Sequence, residues 1–559
     1  MWHRHSCLCF RKVQPGIIAV MQDENGGGVN RRHFLELAAL GSALALAKPL
    51  TAVAQTSATT TPELEEITIG ELQDGMANGR WTARSIAEGY LGRIDAIDKR
   101  GPSINSIIEL NPEALAIADA MDRERKAGHL RGPLHGIPVL IKDNIDTADR
   151  MATSAGSLAL AENHATRDAF VVSRLREAGA VLLGKTNLSE WANFRSTHST
   201  SGWSGRGGLT KNPYVLDRNA CGSSSGTGSA IAANLAAIGI GTETDGSVVC
   251  PSSASGLVGI KPTLGLLSRA GIIPIAHSQD TSGPMARSVR DAAILLGILT
   301  GSDERDPITV SSRTKGHTDY TRFLDAGGLK GARIGVARQY FGFNDATDKL
   351  MKEAIDLIKS LGATIVDPAN IKTNGKFDAT ENDVLQYEFK ADINKYLAGA
   401  PSSVKSRTLA DLIKFNEEHR AQEMPFFGQE IFEQSQKRGP LSEKKYRDAL
   451  AKNHRLARTE GIDATIAKHK VDAIIAPTGG PVWATDLVNG DHFTGGYSSA
   501  SAVAGYPHIT LPAGLVFGLP VGISFFGGAW SEPALIKFAY AFEQASKARQ
   551  KPKFLATAV

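Results

Sequence analysis

Two runs rich in glycine and serine supply the hydroxyl groups best placed for chemistry in this sequence. The first spans residues 220–229 and reads ACGSSSGTGS, and the second spans residues 241–251 and reads GTETDGSVVCP. Taken alone, a run of this kind is usually a flexible connection. Neither run has the Gly-Lys-Ser/Thr ending of a phosphate-binding loop, which disfavours a nucleotide site. A serine nucleophile in either run would also need a base.

Lys142 is the candidate base because it directly follows the apolar residues 137–141. A free lysine has a pKa of about 10.4, so its pKa must fall by roughly three units for it to act as a base near pH 7. Burial lowers the pKa of a lysine by up to roughly 3–5 units. The sequence therefore allows a serine nucleophile that is activated by a buried, neutral lysine. His198 and His277 are the alternative bases.

The elements that must position these groups alternate between helix and strand. Apolar spacing predicts helices over 83–98, 112–126, 169–178 and 229–234. Short apolar runs predict strands over 137–141, 180–183, 236–240, 473–476 and 521–525. This alternation predicts an α/β fold.

The region from about residue 303 to residue 469 is charged, with helices predicted over 378–397 and 441–456. We interpret it as a helical layer that covers the sheet. Substrate specificity is expected from this region and from the loops around Trp203 and Tyr506, although both aromatic rings are alternatively core residues.

Composition indicates an ordinary globular protein, because 42% of the 559 residues are hydrophobic and 21% are charged. The formal net charge is +4, and the first 54 residues carry most of it. The rest of the chain is nearly neutral, which disfavours nucleic acid as a partner. The sequence does not determine the oligomeric state.

Residues 1–54 are predicted to be a twin-arginine-type export leader, which implies the bacterial periplasm. Arg31 and Arg32 precede the apolar run 37–47, and Ala52-Val53-Ala54 supplies a cleavage site before Gln55. The apolar run is too short for stable membrane insertion. The alternative is an amphipathic first helix of the domain. We assign residues 55–64 to a linker and residues 65–559 to a single domain.

No metal and no other cofactor are expected. A tract near the start of the chain has metal-ligating residue types, but it lacks the second ligand pair of a zinc site; its members are His3, His5, Cys7 and Cys9. The rest of the chain has two cysteines, Cys221 and Cys250, which are too few for a disulfide scaffold, and we assign them to packing.

The order of motifs resembles the amidase signature family of serine hydrolases over about residues 65–545. Motifs that carry the resemblance include GIPVLIKDN at 136–144, GKTN at 184–187, both Gly/Ser runs, GIKPT at 259–263, GYP at 505–507 and LPAG at 511–514. The resemblance implies a large mixed β-sheet covered by helices on both faces. It also implies a serine amidohydrolase that works through an acyl-enzyme.

The resemblance assigns the site residues by motif. Ser247 takes the position of the nucleophile, Ser223 that of a bridging serine with a cis peptide, and Lys142 that of the base. The separation of Ser223 and Ser247 matches the family, whereas Cys221 and Ser225 replace two glycines of its usual pattern. The implied oxyanion hole consists of backbone N–H groups of Thr244, Asp245, Gly246 and Ser247.

The substrate class follows from finer motif detail. Residues 242–251 and the Cys-Gly-Ser-Ser-Ser at 221–225 resemble the bacterial peptide amidase branch, which implies C-terminal peptide amides as substrates. Asp245 is expected to accept a hydrogen bond within its own loop rather than to contact substrate. The alternatives are a non-catalytic binding protein, an aryl or aliphatic acylamidase, and an amidotransferase A-type subunit.

Overall fold

A computed structural model describes residues 63–558 of the chain. The predicted export leader, the His/Cys tract and most of the predicted linker lie outside the described residues. Thirteen strands occur within 63–558: Ile107–Leu110 (β1), Pro138–Lys142 (β2), Val181–Thr186 (β3), Trp203–Ser204 (β4), Gly208–Leu209 (β5), Ile238–Glu243 (β6), Val258–Lys261 (β7), Thr281–Ala286 (β8), Arg333–Val336 (β9), Thr364–Val366 (β10), Ala473–Pro477 (β11), His508–Val516 (β12) and Leu519–Phe526 (β13).

Eleven of these strands form one mixed sheet, in the order β1-β3-β2-β6-β8-β7-β12-β13-β11-β9-β10, while β4 pairs with β5. β2 is parallel to β3 and β6, and β9 is parallel to β10 and β11. The other neighbours in the large sheet are antiparallel.

The central strands are buried on both faces. In β2, β3, β6, β7, β8, β11 and β13 every residue is buried. Successive residues of a strand point to opposite faces, so both faces of the sheet are covered. The predicted α/β fold with a large mixed sheet covered by helices is confirmed.

The covering helices are spread along the whole described chain. The α-helices are Ile69–Ala77 (α1), Ala83–Arg93 (α2), Ala114–Lys126 (α3), Phe170–Glu177 (α4), Ser225–Ala232 (α5), Val249–Ala254 (α6), Val289–Leu299 (α7), Ser312–Lys315 (α8), Asp345–Ser360 (α9), Asp378–Ala398 (α10), Leu409–Glu418 (α11), Arg420–Glu423 (α12), Glu430–Gln436 (α13), Lys444–His454 (α14), Asp463–His469 (α15), Ser499–Ala504 (α16) and Glu532–Ser546 (α17). π-Helical turns continue α2 over Ile94–Lys99 and join α14 to α15 over Arg455–Ile462. Between residues 63 and 558, each helix is too short or too polar to span a bilayer.

The region 303–469 is not purely a helical cover. It also contributes β9 and β10 to one edge of the sheet, where both strands run parallel to each other. These strands have four and three residues, which is too short to give a clear apolar run in the sequence. The region therefore both extends the sheet and covers it.

The parallel pairing of β2 with β6 brings the predicted site together. Val139 lies opposite Ile238 and Ile141 lies opposite Ile240, so the carboxyl ends of both strands meet at one edge. Lys142 is the last residue of β2, and the second Gly/Ser run continues from β6. In α/β sheets, binding sites form at this edge.

Candidate active site

Lys142 is fully buried at the end of β2 and donates only to uncharged oxygens among the described residues. Its Nζ lies 2.7 Å from Ser223 Oγ, 3.1 Å from Ser224 Oγ, 2.9 Å from Thr242 Oγ1 and 3.3 Å from the Thr242 carbonyl oxygen. Burial lowers the pKa of this lysine to about 7, although the charges of Asp280 and Glu243 act in the opposite direction. A substantial fraction of Lys142 is therefore neutral at pH 7.

Ser223 lies between Lys142 and Ser247. Its hydroxyl accepts the hydrogen bond from Lys142, and its backbone N–H donates to Ser247 Oγ over 3.3 Å. The N–H of Ser224 donates to the carbonyl oxygen of Ser247, also over 3.3 Å. The three residues that sequence motifs single out are thus adjacent in space, in the order lysine, bridging serine, predicted nucleophile.

The expected cis peptide at Ser223 is wrong. Between residues 63 and 558 the cis peptide bond is Asp367–Pro368, so the bond before Ser223 is trans. The chain turns instead through two consecutive left-handed residues, Cys221 and Gly222, both with φ of 57°. This turn directs the N–H of Ser223, rather than its hydroxyl, towards Ser247.

The predicted oxyanion loop connects β6 to α6. Gly246 has a φ of 77°, which favours glycine, and its carbonyl accepts from the N–H of Cys250. Within the described part of the chain, the N–H groups of Asp245, Gly246 and Ser247 donate to no protein acceptor. Thr244 is fixed through its hydroxyl, which donates to Asp280 Oδ1 over 2.5 Å. The loop therefore has N–H groups to offer a developing oxyanion.

Asp245 does not cap its own loop, which corrects the expectation from sequence. Its Oδ2 accepts from the hydroxyl of Ser499, at the first residue of α16. Burial raises the pKa of this carboxyl. Asp245 therefore connects the oxyanion loop to a distant segment of the chain.

Cys221 and Cys250 form a disulfide bond, so the assignment of both to packing is wrong. Their Cα atoms are 5.8 Å apart, although the residues are separated by 29 positions in the sequence. β2 and β6 pair in parallel, and α5 and α6 both begin at the site edge. This places the start of the first Gly/Ser run beside the end of the second.

Comparison with known proteins shows the family of this chain. The sequence profile of the Amidase family matches residues 85–536, which is most of the chain. The chain belongs to the amidase signature family. It is 41% identical over 523 residues to a probable amidase of Arabidopsis thaliana, covering 92% of this amidase and 96% of the relative.

Two further relatives have names that describe different activities. The crystal structure of the native peptide amidase from Stenotrophomonas maltophilia is similar with 48% identity and a TM-score of 0.84, over 88% of this chain and 99% of that chain. A glutamyl-tRNA(Gln) amidotransferase component of Acinetobacter baylyi is 34% identical over 496 residues, covering 86% of this amidase and 96% of the relative. The amidase activity of the family therefore applies to this chain, whereas the substrate needs a separate argument.

A cavity of about 290 Å³ opens beside Lys142 and Ser223 in this amidase. Ser223, Thr244 and Asp280 contribute polar groups to its lining, and the residues 272–275 form an apolar part of its wall. Helix α10 contributes Asp392, Lys395 and Tyr396. The covering region thus reaches the cavity, as the sequence predicts. Ser247 is 9% exposed and is not part of the cavity wall, but its Oγ contacts the N–H of Ser223, which is.

The two aromatic residues proposed for specificity do not line this cavity. Trp203 is buried and packs edge-on against Phe426 and Phe427. The Tyr506 hydroxyl donates to Asp463. Trp203 is therefore a core residue, as the alternative interpretation has it, whereas Tyr506 is half-buried and packs against the core.

His277 lines the cavity but is held by carboxylates of α10. Its Nδ1 lies 2.7 Å from Asp392 Oδ2 and its Nε2 lies 3.4 Å from Glu388 Oε1. Along residues 63–558 these three side chains are the group whose atoms could ligate a metal ion. The hydrogen bond to Asp392 raises the pKa of His277, against the effect of burial. This pairing favours an ion pair and leaves Lys142 as the base next to a serine.

Sequence reasoning missed several residues that surround Lys142. Ser224 Oγ and Thr242 Oγ1 each accept a hydrogen bond from Lys142, and Asn144 donates to Thr242 Oγ1 over 2.9 Å. Glu243 Oε2 accepts from the N–H groups of Val248 and Val249, which fixes the start of α6. All of these residues lie within three residues of a predicted site residue, in the same motifs, which is the signal that could have identified them.

Proposed function

We propose that this amidase is a serine amidohydrolase with Ser247 as nucleophile, Ser223 as bridging serine and Lys142 as base. The observation that supports it most directly is the buried Lys142, whose Nζ donates to Ser223 Oγ over 2.7 Å while Ser223 N–H contacts Ser247 Oγ. A lysine with a pKa of about 7 has a neutral form that can accept a proton at neutral pH.

The proposed acylation step moves one proton along this chain of groups. Ser247 Oγ attacks the carbonyl carbon as its proton passes to the hydroxyl oxygen of Ser223, which has to turn towards Ser247 for this step, and the Ser223 hydroxyl proton passes to the neutral Lys142. The loop 244–247 offers N–H groups to the oxyanion. Lys142 then returns the proton to the leaving nitrogen as the C–N bond breaks, which releases ammonia and leaves an ester on Ser247.

Deacylation repeats the sequence with water as the nucleophile. Water attacks the ester carbonyl, its proton reaches Lys142 through Ser223, and the same proton returns to Ser247 Oγ as the acid product leaves. No group besides the three side chains and the loop is needed to balance either step.

We propose C-terminal carboxamides of peptides as the substrate class. The 48% identity to a peptide amidase supports this choice. The cavity also supports it, because 290 Å³ lined by apolar residues 272–275 and by polar groups of Ser223 and Thr244 fits a residue whose amide points to Ser223. Aryl and aliphatic amides are the alternative substrates within the same mechanism.

The test is a panel of peptide amides, anilides and simple aliphatic amides, assayed for amine or ammonia release. Wild-type enzyme should prefer the peptide amides by kcat/KM, and Ser247→Ala should lower kcat at least about 10⁴-fold on every substrate. A higher kcat/KM for anilides would replace the substrate class and keep the mechanism. Unchanged turnover in Ser247→Ala would contradict the assignment of the nucleophile.

Relatives named as components of an amidotransferase support one alternative, in which this chain supplies ammonia to an amidotransferase complex. The discriminating assay compares free amide hydrolysis with glutamine hydrolysis by the isolated chain. Hydrolysis of peptide amides without any partner protein favours the amidohydrolase, and activity only with glutamine and added partner proteins favours the alternative.

We further propose that the enzyme acts in an oxidising compartment after export. The Cys221–Cys250 bond supports this, because disulfides are rare in the cytosol. A mature N-terminus near Gln55 in a periplasmic fraction is the expected result. Full-length chain confined to the cytoplasm would contradict it.

A further inference from the structure

The Cys221–Cys250 disulfide joins the two loops that carry the proposed catalytic serines. Cys221 lies two residues before Ser223, and Cys250 lies three residues after Ser247. The loops also touch at Gly222, where an added Cβ would approach Pro251 Cδ to 2.7 Å. The bond is therefore adjacent to the point where Ser223 N–H meets Ser247 Oγ.

The backbone of Cys221 needs such a constraint. Its φ of 57° is left-handed, and Gly222 after it has the same value. Left-handed backbone is disfavoured for residues with a Cβ by roughly tenfold or more, whereas glycine adopts it freely. A local hydrogen bond, from Cys221 N–H to Asn219 Oδ1 over 2.7 Å, contributes to holding the turn.

The position of Ser223 depends directly on this turn. Two left-handed residues in succession reverse the chain and point the N–H of Ser223 at Ser247. If Cys221 returned to an ordinary negative φ, this N–H would turn away and the Ser223 hydroxyl would leave Lys142. The cross-link opposes that change because it fixes the Cys221 side chain to the start of α6.

We propose that the Cys221–Cys250 disulfide is a positioning element of the catalytic site, which makes turnover depend on the oxidation state of this pair. In the oxidised enzyme the bond holds the left-handed turn that sets Ser223 against Ser247. A dithiol reductant breaks the S–S bond by giving two electrons and two protons to the two Sγ atoms and becomes a disulfide itself, after which the turn is released. This inference rests on the proposed function and adds a redox dependence to the same site.

The test separates the turn from the cross-link with four variants. Cys221→Ser and Cys250→Ser remove the bond and keep a Cβ at position 221, so kcat should fall about tenfold or more with little change in KM. Cys221→Gly removes the same bond but adopts the left-handed turn freely, so its kcat should stay within a few-fold of wild type. For the same reason Cys221→Gly should rescue kcat in the Cys250→Ser background.

Thermal unfolding serves as the control for a purely structural role. All four variants lose the same cross-link and should lose a similar amount of thermal stability, so stability cannot explain a difference in kcat between serine and glycine at position 221. Equal kcat in wild type, Cys221→Ser and Cys221→Gly would overturn the inference, as would a Cys221→Gly enzyme as slow as Cys221→Ser. Whether the wild-type enzyme hydrolyses any amide tests the proposed function. This result is independent of the ratios of kcat between the variants.

Discussion

Two buried lysines on neighbouring strands show why one is suited to catalysis and the other to structure. Lys142 ends β2, and Lys185 lies on β3 opposite Ile141. Burial lowers the pKa of both. Lys142 donates to three hydroxyl groups and one carbonyl, whereas Lys185 donates to the Ile145 carbonyl and the Thr153 hydroxyl, with the charge of Asp143 as the main influence that favours its ammonium.

The difference lies in what each environment does when the lysine loses its proton. A neutral amine has a lone pair that needs a donor, and a serine hydroxyl can reverse its role and donate. Ser223 and Ser224 can do this at Lys142. At Lys185 deprotonation would leave the buried Asp143 carboxyl with less compensating charge. Burial alone therefore does not make a base; the serine hydroxyl partners of Lys142, one of which belongs to the residue that contacts Ser247, complete it.

The largest expected effect comes from replacing each lysine by methionine, which preserves volume. Lys142→Met should lower kcat by about 10³-fold or more, because the general base is lost, while leaving thermal stability equal or higher. Lys185→Met should keep kcat per folded molecule and lose about 1–3 kcal/mol of stability, because the Ile145 carbonyl and the Thr153 hydroxyl lose their donor and the buried Asp143 loses a compensating charge. Steady-state kinetics and denaturant unfolding of both variants provide the measurement.

If Lys142→Met kept most of the wild-type turnover, the contrast drawn between Lys142 and Lys185 would be refuted. His277 would then be the next base to test, since it lines the cavity. A Lys185→Met enzyme that is stable but inactive would assign the catalytic role to Lys185 on β3 instead.

The second prediction concerns pH. A lysine base is active when neutral, so kcat/KM should rise with pH through about 7 and level off above it. The profile in Lys185→Met should keep the same midpoint. A profile that falls through pH 7, or one that shifts in Lys185→Met, would contradict the assignment of this titration to Lys142.

Much of the lysine's environment was predictable from the sequence, because an apolar run that ends in Lys142 predicts a buried strand with a lysine at its end. The neighbouring β6 and the hydroxyls of the two Gly/Ser runs were also predictable as a group. The turn before Ser223 was not, because residue types alone do not fix the left-handed φ angles of Cys221 and Gly222. The disulfide was not predictable either, since 29 residues separate its cysteines and they come together only where the chain returns through α5 and β6.

The smallest expected effect comes from Asp280. Its charge raises the pKa of Lys142, so Asp280→Asn should move the rising limb of kcat/KM to lower pH, by up to about one unit. The introduced amide can direct its oxygen to the N–H groups of Ile275 and Ala276 and donate its NH2 to the Thr244 hydroxyl oxygen, which preserves the loop. Thr244→Ser is the matched control, because it keeps both the hydrogen bond and the charge, so its limb should not move. A shift to higher pH in Asp280→Asn would contradict the electrostatic account.

The central claim is that a neutral Lys142 activates Ser247, and the pH dependence of covalent labelling tests it most directly. A fluorophosphonate probe is reacted with wild type and Lys142→Met over about pH 5–9, and the modified peptide is identified by mass spectrometry. The account predicts one modified residue, Ser247, with a rate that rises through about pH 7 in wild type and is at least about 10²-fold lower in Lys142→Met. Labelling of a different residue, or an equal rate in Lys142→Met, would contradict it.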